Sequence, residues 1–275
     1  MSKVAAAANQ LGVPVDSLNA QIATIVAKSW GWRSSFFLYG GCGVVLAGIM
    51  ALRLRPDRTS GEQEPVKHLI GGGLKAFFSC RTAWFLTLAF AGFQFSGHAF
   101  LMWGPAYLQD VFSLDSTRAA FDASFYPQVA SIFGVMAGAR FADSHVGSQP
   151  KSRIRVQAIG LALGGPFLVM VGGGKTLPVV CAAMAGYGLF KGIYDSNLFA
   201  AIYDVIDPRY RAMATSFMMM FSNIIASLSP WLLGVLKPAI GLSGGLMLMG
   251  GVLLVSSIPL IIAGRYTFLR VRIKA

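Results

Sequence analysis

LPVVCAAMAGYGLFKGIYDSNLFAAIY, residues 177–203, decides how this chain folds, because it joins the length of a membrane helix to two charged residues. A helix needs about 20 predominantly apolar residues to cross a bilayer, and this stretch supplies them. Lys191 and Asp195 lie inside it four residues apart, so on a helix they share one face and can contact each other. Charges at membrane depth cost roughly 3 kcal/mol each, which makes a binding or coupling role the first hypothesis. A purely structural ion pair is the alternative that these residues leave open.

The whole chain has the composition of a polytopic membrane protein. Of its 275 residues, 55% are hydrophobic and 12% are charged, and the mean hydropathy is +0.61. In a soluble chain the formal charge of +12 would raise the question of nucleic acid. Here the basic residues cluster between apolar runs, which favours a positive-inside topology and no nucleic-acid partner. Three scattered cysteines, Cys42, Cys80 and Cys181, indicate neither a disulfide framework nor a metal site.

Apolar runs of spanning length divide the chain into segments. Residues 1–52 hold a weak helix at 11–29, polar enough to favour an interfacial position, and a clean membrane helix at 34–52. Residues 53–81 are polar and contain three consecutive glycines, which predicts a cytoplasmic linker. A basic tail at 265–275 ends the chain. Between the linker and the tail, residues 82–264 predict six membrane helices, at about 82–107, 119–141, 154–173, 177–203, 212–236 and 243–263.

The positive charges of the connections alternate between the two sides of the predicted bundle. One side carries Arg118, Lys175 and Lys237, and the other side is richer in basic residues. By the positive-inside rule, this richer side is cytoplasmic, together with the linker and the C-terminal tail. We therefore expect an integral protein of the inner or plasma membrane. The richer side carries Arg140, Lys151, Arg153, Arg155, Arg209, Arg211 and the basic tail.

Pairs of glycines four residues apart recur within the predicted spans. Such spacing lets helix backbones approach closely in lipid, where no hydrophobic force drives helices together. The pattern predicts tight helix packing and carries no functional information. The pairs are Gly134 with Gly138, Gly160 with Gly164, and Gly188 with Gly192.

Three short motifs stand in a fixed order around these spans. GWRSSF at 31–36 leads into a glycine-rich helix that ends with RLRP at 53–56. GARFADSHVG at 138–147 follows the second span after the linker, and DPRYR at 207–211 precedes the fifth. With six spans after a basic linker, this order resembles the major facilitator superfamily of secondary transporters. The motifs are similar to that family's entry to helix six, its loop between helices eight and nine, and its loop before helix eleven.

The resemblance implies an all-α fold, a polytopic membrane helical bundle. It covers a C-terminal six-helix half plus one or two preceding helices, so helices one to four of the family fold are absent. Three explanations stay open: a truncated gene product, a start assigned too late, or a protein that pairs with a second chain supplying the missing helices.

The resemblance also implies a midplane cavity lined mainly by the first helix of each three-helix unit, here the spans that start near 82 and 177. The first carries Gln94 and His98, four apart, and the second carries Lys191 and Asp195. We expect Lys191 to attract an anionic group of the substrate, and Asp195 to hold Lys191 or to take up a proton. His98 relays protons or donates a hydrogen bond, and a packing residue is the alternative. Further hydrogen-bonding candidates, with helix–helix contacts as their alternative, are Tyr126, Gln128, Tyr187, Tyr194, Asn197 and Asn223.

Charged loop residues are candidates for a cytoplasmic gate by the same resemblance. Asp143 would pair with Arg140 or Arg153. Asp204 or Asp207 would pair with Arg209 or Arg211, and solvated loop charges are the alternative.

The expected function is transport of a small organic solute by alternating access, proton-coupled or by exchange. Lys191 favours an anionic solute of the sugar-acid or sugar-phosphate type. The alternative is a truncated or partner-dependent membrane module that does not transport. An enzyme is not expected, and neither is a cofactor: GGGKT at 172–176 lacks the first glycine of a phosphate-binding loop, and Ser243 has no histidine base in the following span.

Overall fold

The structure is a computed structural model that describes residues 32–53, 66–146 and 151–267. All regular elements in these ranges are helical, which confirms the predicted all-α class. A 3₁₀ turn covers Pro208–Tyr210, and a π-helical turn covers Ala263–Thr267. The α-helices are α1 Trp32–Arg53, α2 Val66–Ser79, α3 Arg81–Phe112, α4 Ser116–Val146, α5 Ser152–Gly173, α6 Leu177–Asp195, α7 Leu198–Tyr203, α8 Arg211–Ala226, α9 Leu228–Val255 and α10 Ser257–Ile262.

Helix α1 belongs to the first of two compact units, Met1–Gln63. It includes the predicted membrane helix 34–52, and its Phe36–Arg53 portion is long and apolar enough to cross a membrane. The predicted weak helix at 11–29 lies outside the described residues.

The second unit, Glu64–Ala275, contains six helical passes in its described residues. Three single stretches are long and apolar enough to span a membrane: Arg81–Phe112, Ser152–Gly173 and Leu177–Tyr203. Pro208–Arg265, at 58 residues, holds two passes. The remaining pass is α4, which has spanning length at 31 residues but a more polar sequence.

A glycine separates the last two passes. Gly241 has φ 68° and ψ 176°, a backbone conformation that side-chain-bearing residues rarely adopt. The chain therefore turns inside α9, so that residues 228–240 continue the pass begun by α8 and residues 242–255 lead into α10.

Two of the three predicted glycine pairs lie where the backbones of α4 and α6 meet. On α4, Gly134 faces the carbonyl of Leu189, and a Cβ on Gly138 would lie 2.9 Å from the Cα of Ile193. On α6, Gly188 faces the carbonyl of Pro127 in return. Because these contacts join backbone to backbone, α4 and α6 are close-packed. The two helices run in the same direction, since Pro127 meets Gly188 and the later Gly138 meets the later Ile193.

Helix α5 packs between α6 and the last pass in the same way. A Cβ on Gly160 would lie 2.9 Å from the carbonyl oxygen of Phe190 on α6. A Cβ on Gly165 would lie 2.9 Å from the carbonyl oxygen of Gly250 on α9. Tyr107 of α3 adds a hydrogen bond of 2.6 Å from its hydroxyl to the carbonyl of Val171. These contacts place the charged face of α6 in a fixed position relative to α3 and α4.

Part of the predicted linker is folded. Residues 66–79 form α2, and its glycines are helical. A Cβ on Gly73 would lie 2.6 Å from the Cβ of Met213, and one on Gly72 would lie 2.6 Å from the ring of Tyr210. The glycine run that indicated flexibility in the sequence therefore allows α2 to pack closely against α8 and the turn before it.

Candidate functional site

Helix α6 carries an ion pair next to a strip of packing glycines. Lys191 Nζ lies 2.7 Å from Asp195 Oδ2, the contact that their i, i+4 spacing predicts. Their side chains are 28% and 29% exposed, so the pair is neither sealed in the core nor free in solvent. Gly188 and Gly192, three residues before Lys191 and Asp195 respectively, hold the adjacent strip of α6 against α4. Because residues three apart on a helix are neighbours, both charges lie beside the α4–α6 contact.

The charged pair faces a cavity of about 250 Å³ between α3, α4 and α6. This volume suits a small solute, since sites for drug-sized ligands measure about 300–1,000 Å³. Of the predicted site residues, the cavity brings together Gln94, His98, Gln128, Tyr187, Lys191 and Asp195. The rest of its described lining is Phe93, Gly97, Phe100, Leu101, Ala123, Ser124 and Pro127.

Helix α4 supplies a third wall that the family resemblance did not single out. Gln128 and Ser124 bring polar groups to this wall, and Pro127 brings its ring and main chain. No charged residue marks this face in the sequence. The sequence indicated Gln128 as a candidate, and the spacing of Ser124, four residues earlier on the same helix, could have added Ser124.

Two polar groups on α3 face Lys191 and Asp195 across the cavity. The Nδ1 atom of His98 is buried and has no hydrogen-bond partner. The Nε2 atom of Gln94 donates to Oδ1 of Asn223 on α8 at 3.3 Å. His98 therefore retains hydrogen-bonding capacity beside the cavity, whereas the amide of Gln94 is oriented from the neighbouring helix.

Four predicted site residues lie outside the described lining. Tyr194 is 1% exposed, and its ring centre lies 4.5 Å from that of Phe93. Asn197 is 2% exposed, and it joins the end of α6 to α4 and α5. Its Nδ2 donates to the carbonyl of Gly138 at 3.3 Å, and its own carbonyl accepts from Gln157 Nε2 at 2.6 Å. Tyr126 packs against the hydrophobic core. Asn223 accepts the hydrogen bond from Gln94, which lines the cavity.

Arg153 is the centre of the predicted gate. Its Nη1 atom lies 3.0 Å from Oδ1 of Asp204, and its Nη2 atom lies 3.6 Å from Oδ1 of Asp143. The Arg153 and Asp204 side chains are only 24% and 18% exposed. One arginine at the start of α5 thus links the end of α4 to the segment after α7.

Arg209 and Arg211 lie in the turn that precedes α8. Arg211 donates from Nε to the carbonyl of Tyr203 at 3.1 Å, and its guanidinium lies 5.6 Å from the centre of that ring. The backbone N–H of Arg209 donates to Oδ1 of Asp207 at 3.0 Å, which caps the 3₁₀ turn. The sequence paired Asp204 with Arg209 or Arg211, whereas the structure has the guanidinium of Arg153 beside its carboxylate.

A double-mutant cycle on Arg153→Gln and Asp204→Asn should give a coupling energy of about 1–3 kcal/mol in unfolding stability, because the pair is largely shielded from water. The control is Lys237 with Asp110, an ion pair of similar length, 3.0 Å, whose side chains are 42% and 50% exposed. Its cycle should give less than about 1 kcal/mol. Equal coupling energies in the two cycles would show that the Arg153–Asp204 pair contributes no more to stability than an exposed ion pair.

The family model of the Major Facilitator Superfamily matches residues 17–230. The chain belongs to the Major Facilitator Superfamily. This confirms the resemblance drawn from the motifs and places the chain in a family of transporters rather than enzymes. In the described residues, no group of three or more His, Cys, Asp or Glu side chains could hold a metal ion.

Three curated relatives are similar to most of this chain. An MFS-type efflux pump of Mycolicibacterium smegmatis is 22% identical, with 84% of this chain and 54% of the relative covered. A hexuronate transporter of Bacillus subtilis is 22% identical, covering 91% and 62%. A probable L-galactonate transporter of Escherichia coli is 26% identical, covering 83% and 53%. The chain therefore spans between about half and three fifths of the length of these relatives.

Solved transporter structures share the fold. A bacterial homologue of the human lysosomal transporter Spinster, inward-facing and unoccupied, superposes with a TM-score of 0.70 at 17% identity. The alignment covers 93% of this chain and 66% of that one. The occupied form of the same homologue gives a TM-score of 0.66, also at 17% identity, over 93% and 65%.

Proposed function

We propose that this chain binds a small organic anion of the sugar-acid class and takes part in its transport by alternating access. The observation that carries the proposal is Lys191, a lysine on a membrane helix whose side chain lines a solute-sized cavity. A desolvated ammonium group interacts strongly with a carboxylate. The hydroxyl groups of a sugar acid can form hydrogen bonds with the side-chain amides of Gln94 and Gln128 in the same cavity. The names of the hexuronate and L-galactonate relatives support the same solute class.

The cavity residues divide into three roles in this proposal. Lys191 binds the carboxylate of the solute. Asp195 orients Lys191 through their 2.7 Å contact and is the group that accepts a proton if transport is proton-coupled. His98, Gln94 and Gln128 offer hydrogen bonds to the sugar hydroxyls.

The ion pairs of Arg153 with Asp143 and Asp204 form the gate in this proposal. Alternating access requires contacts at one end of the bundle that form in one state and break in the other. Partly buried ion pairs suit that role, because water replaces the partners when the end opens. By the positive-inside rule we place this end, and the termini of the second unit, in the cytoplasm.

A partner-dependent role is the second candidate, because the chain spans only 53–62% of the length of its three curated relatives. In that case a second chain supplies the helices that complete the transport pathway, and the cavity described above is one part of the site. Binding at Lys191 is common to both candidates, so binding is the property to test first.

D-Galacturonate should bind the purified chain in neutral detergent at least about tenfold more tightly than D-galactose, which has a hydroxymethyl group in place of the carboxylate. This ratio corresponds to one charge-assisted contact of roughly 1.5–3 kcal/mol. Isothermal titration calorimetry with both sugars measures it. Equal affinities would show that the cavity does not select an anion.

A further inference from the structure

A second basic cluster lies away from the cavity, where α5 begins and the described chain ends. Lys151 is the N-cap residue of α5, and Arg155 follows one turn later. Arg265 lies in the π-helical turn Ala263–Thr267 that follows α10. All three side chains line one groove of about 440 Å³, and its described lining holds no acidic residue.

The groove continues from this basic end onto an apolar wall between α5 and α10. Ile159 is 46% exposed and Ile261 is 43% exposed, so these side chains face outward. A Cβ on Gly264 would lie 3.4 Å from Cγ2 of Ile154, which shows that the two helices meet closely at the basic end. The apolar lining consists of Ile154, Ala158, Ile159, Ala162, Leu260, Ile261 and Gly264.

We propose that this groove binds an anionic phospholipid. The phosphate lies between Lys151, Arg155 and Arg265, and an acyl chain lies along the α5–α10 wall. We choose this ligand from charge complementarity, since basic pockets between membrane helices bind anionic headgroups. A free phosphate would make no contact with the apolar wall. The N-terminus of α5 adds a partial positive charge at the same end.

The site is distinct from the gate. Arg153, between Lys151 and Arg155 in sequence, is directed to Asp204 and Asp143 and does not line the groove. A bound lipid would therefore contact the helix that carries the gate arginine without displacing the ion pair. Binding of the lipid needs neither a sugar acid nor transport, so its test is independent of the proposed function.

Native mass spectrometry of the full chain in neutral detergent tests the proposal with dioleoylphosphatidylglycerol and dioleoylphosphatidylcholine as probes. Each basic residue near a membrane surface strengthens binding of an anionic lipid about fivefold. The triple variant Lys151→Gln, Arg155→Gln, Arg265→Gln should therefore lose at least about tenfold in affinity for the phosphatidylglycerol and keep its affinity for the phosphatidylcholine. The single variant Arg265→Gln, at an exposed position, should lose about threefold or more and guards against misfolding of the triple variant.

The matched control is Arg118→Gln, Lys175→Gln, Lys237→Gln, which removes the same charge from the other side of the bundle. It should leave the preference for phosphatidylglycerol unchanged. Equal losses in the two triple variants would overturn the proposal, because the preference would then follow net charge alone. Full competition by inorganic phosphate at the lipid's own concentration would also overturn it, by showing a simple anion site.

Discussion

Replacing Lys191 by glutamine is expected to lower the affinity for D-galacturonate at least about thirtyfold and to leave the weak binding of D-galactose unchanged. Removal of one partner of a shielded charge contact costs about 2–5 kcal/mol, and most of that cost comes from the charge left without its partner. Here two carboxylates would be affected: that of the solute and that of Asp195, which lies 2.7 Å from the ammonium group. Titration calorimetry on the purified variant gives the ratio directly.

The double variant Lys191→Gln, Asp195→Asn separates the two carboxylates. It removes the repulsion from Asp195 and should recover part of the lost affinity, whereas Lys175→Gln in the loop before α6 should change nothing. If Lys191→Gln bound D-galacturonate as the parent chain does, the ion pair would be structural, the alternative that the sequence left open.

Replacing Gly134 by valine should lower the free energy of unfolding by about 2 kcal/mol or more. A Cβ at this position meets the carbonyl of Leu189, and it would lie 3.1 Å from the Cα of Gly192. Both neighbours are backbone atoms, so α4 and α6 would have to separate for the side chain to fit. Reversible unfolding in mixed detergent micelles, followed by circular dichroism, measures the change.

Gly251→Val is the matched control, because Gly251 is also helical and no atom lies within 4 Å of its Cβ position. This substitution should change the stability by less than about 1 kcal/mol, since only helix propensity differs. Similar losses in the two variants would show that valine acts through helix propensity and that the α4–α6 contact is loose.

The bounds of two predicted spans agree with the helices of the structure, because bilayer thickness imposes a length on each apolar run. The predicted spans 154–173 and 177–203 agree with α5 and with the combined length of α6 and α7 to within a few residues. The predicted contact of Lys191 with Asp195 is confirmed, since i, i+4 neighbours on a helix are close whatever surrounds them.

Contacts between distant helices were harder to predict. The α4 wall of the cavity depends on which face of α4 turns toward α6, and only the assembled bundle determines that face. Arg153, which the sequence did not pair with Asp204, lies 3.0 Å from its carboxylate, because α5 begins next to the segment after α7. That arrangement has no local pattern in the sequence.

The glycines were assigned correctly in the spans and incompletely in the linker. In the spans, their spacing of four is itself the signature of close helix contact. In α2, three consecutive glycines have no such period, so the sequence indicated flexibility. In the structure, Tyr210 and Met213 lie against Gly72 and Gly73 and leave no room for a larger side chain. Only the partner helix distinguishes the two uses of glycine.

Protection of a cavity cysteine tests the central claim most directly. Ser124→Cys, in a background with Cys42, Cys80 and Cys181 replaced by alanine, places one thiol in the lining of the cavity. D-Galacturonate at ten times its Kd should slow alkylation of this thiol by N-ethylmaleimide about tenfold, because about nine tenths of the sites are then occupied. D-Galactose at the same concentration should not slow it, and Ser144→Cys, exposed near the end of α4, should react at one rate under all conditions. An unchanged rate at Ser124→Cys with saturating D-galacturonate would contradict binding of the anion in this cavity.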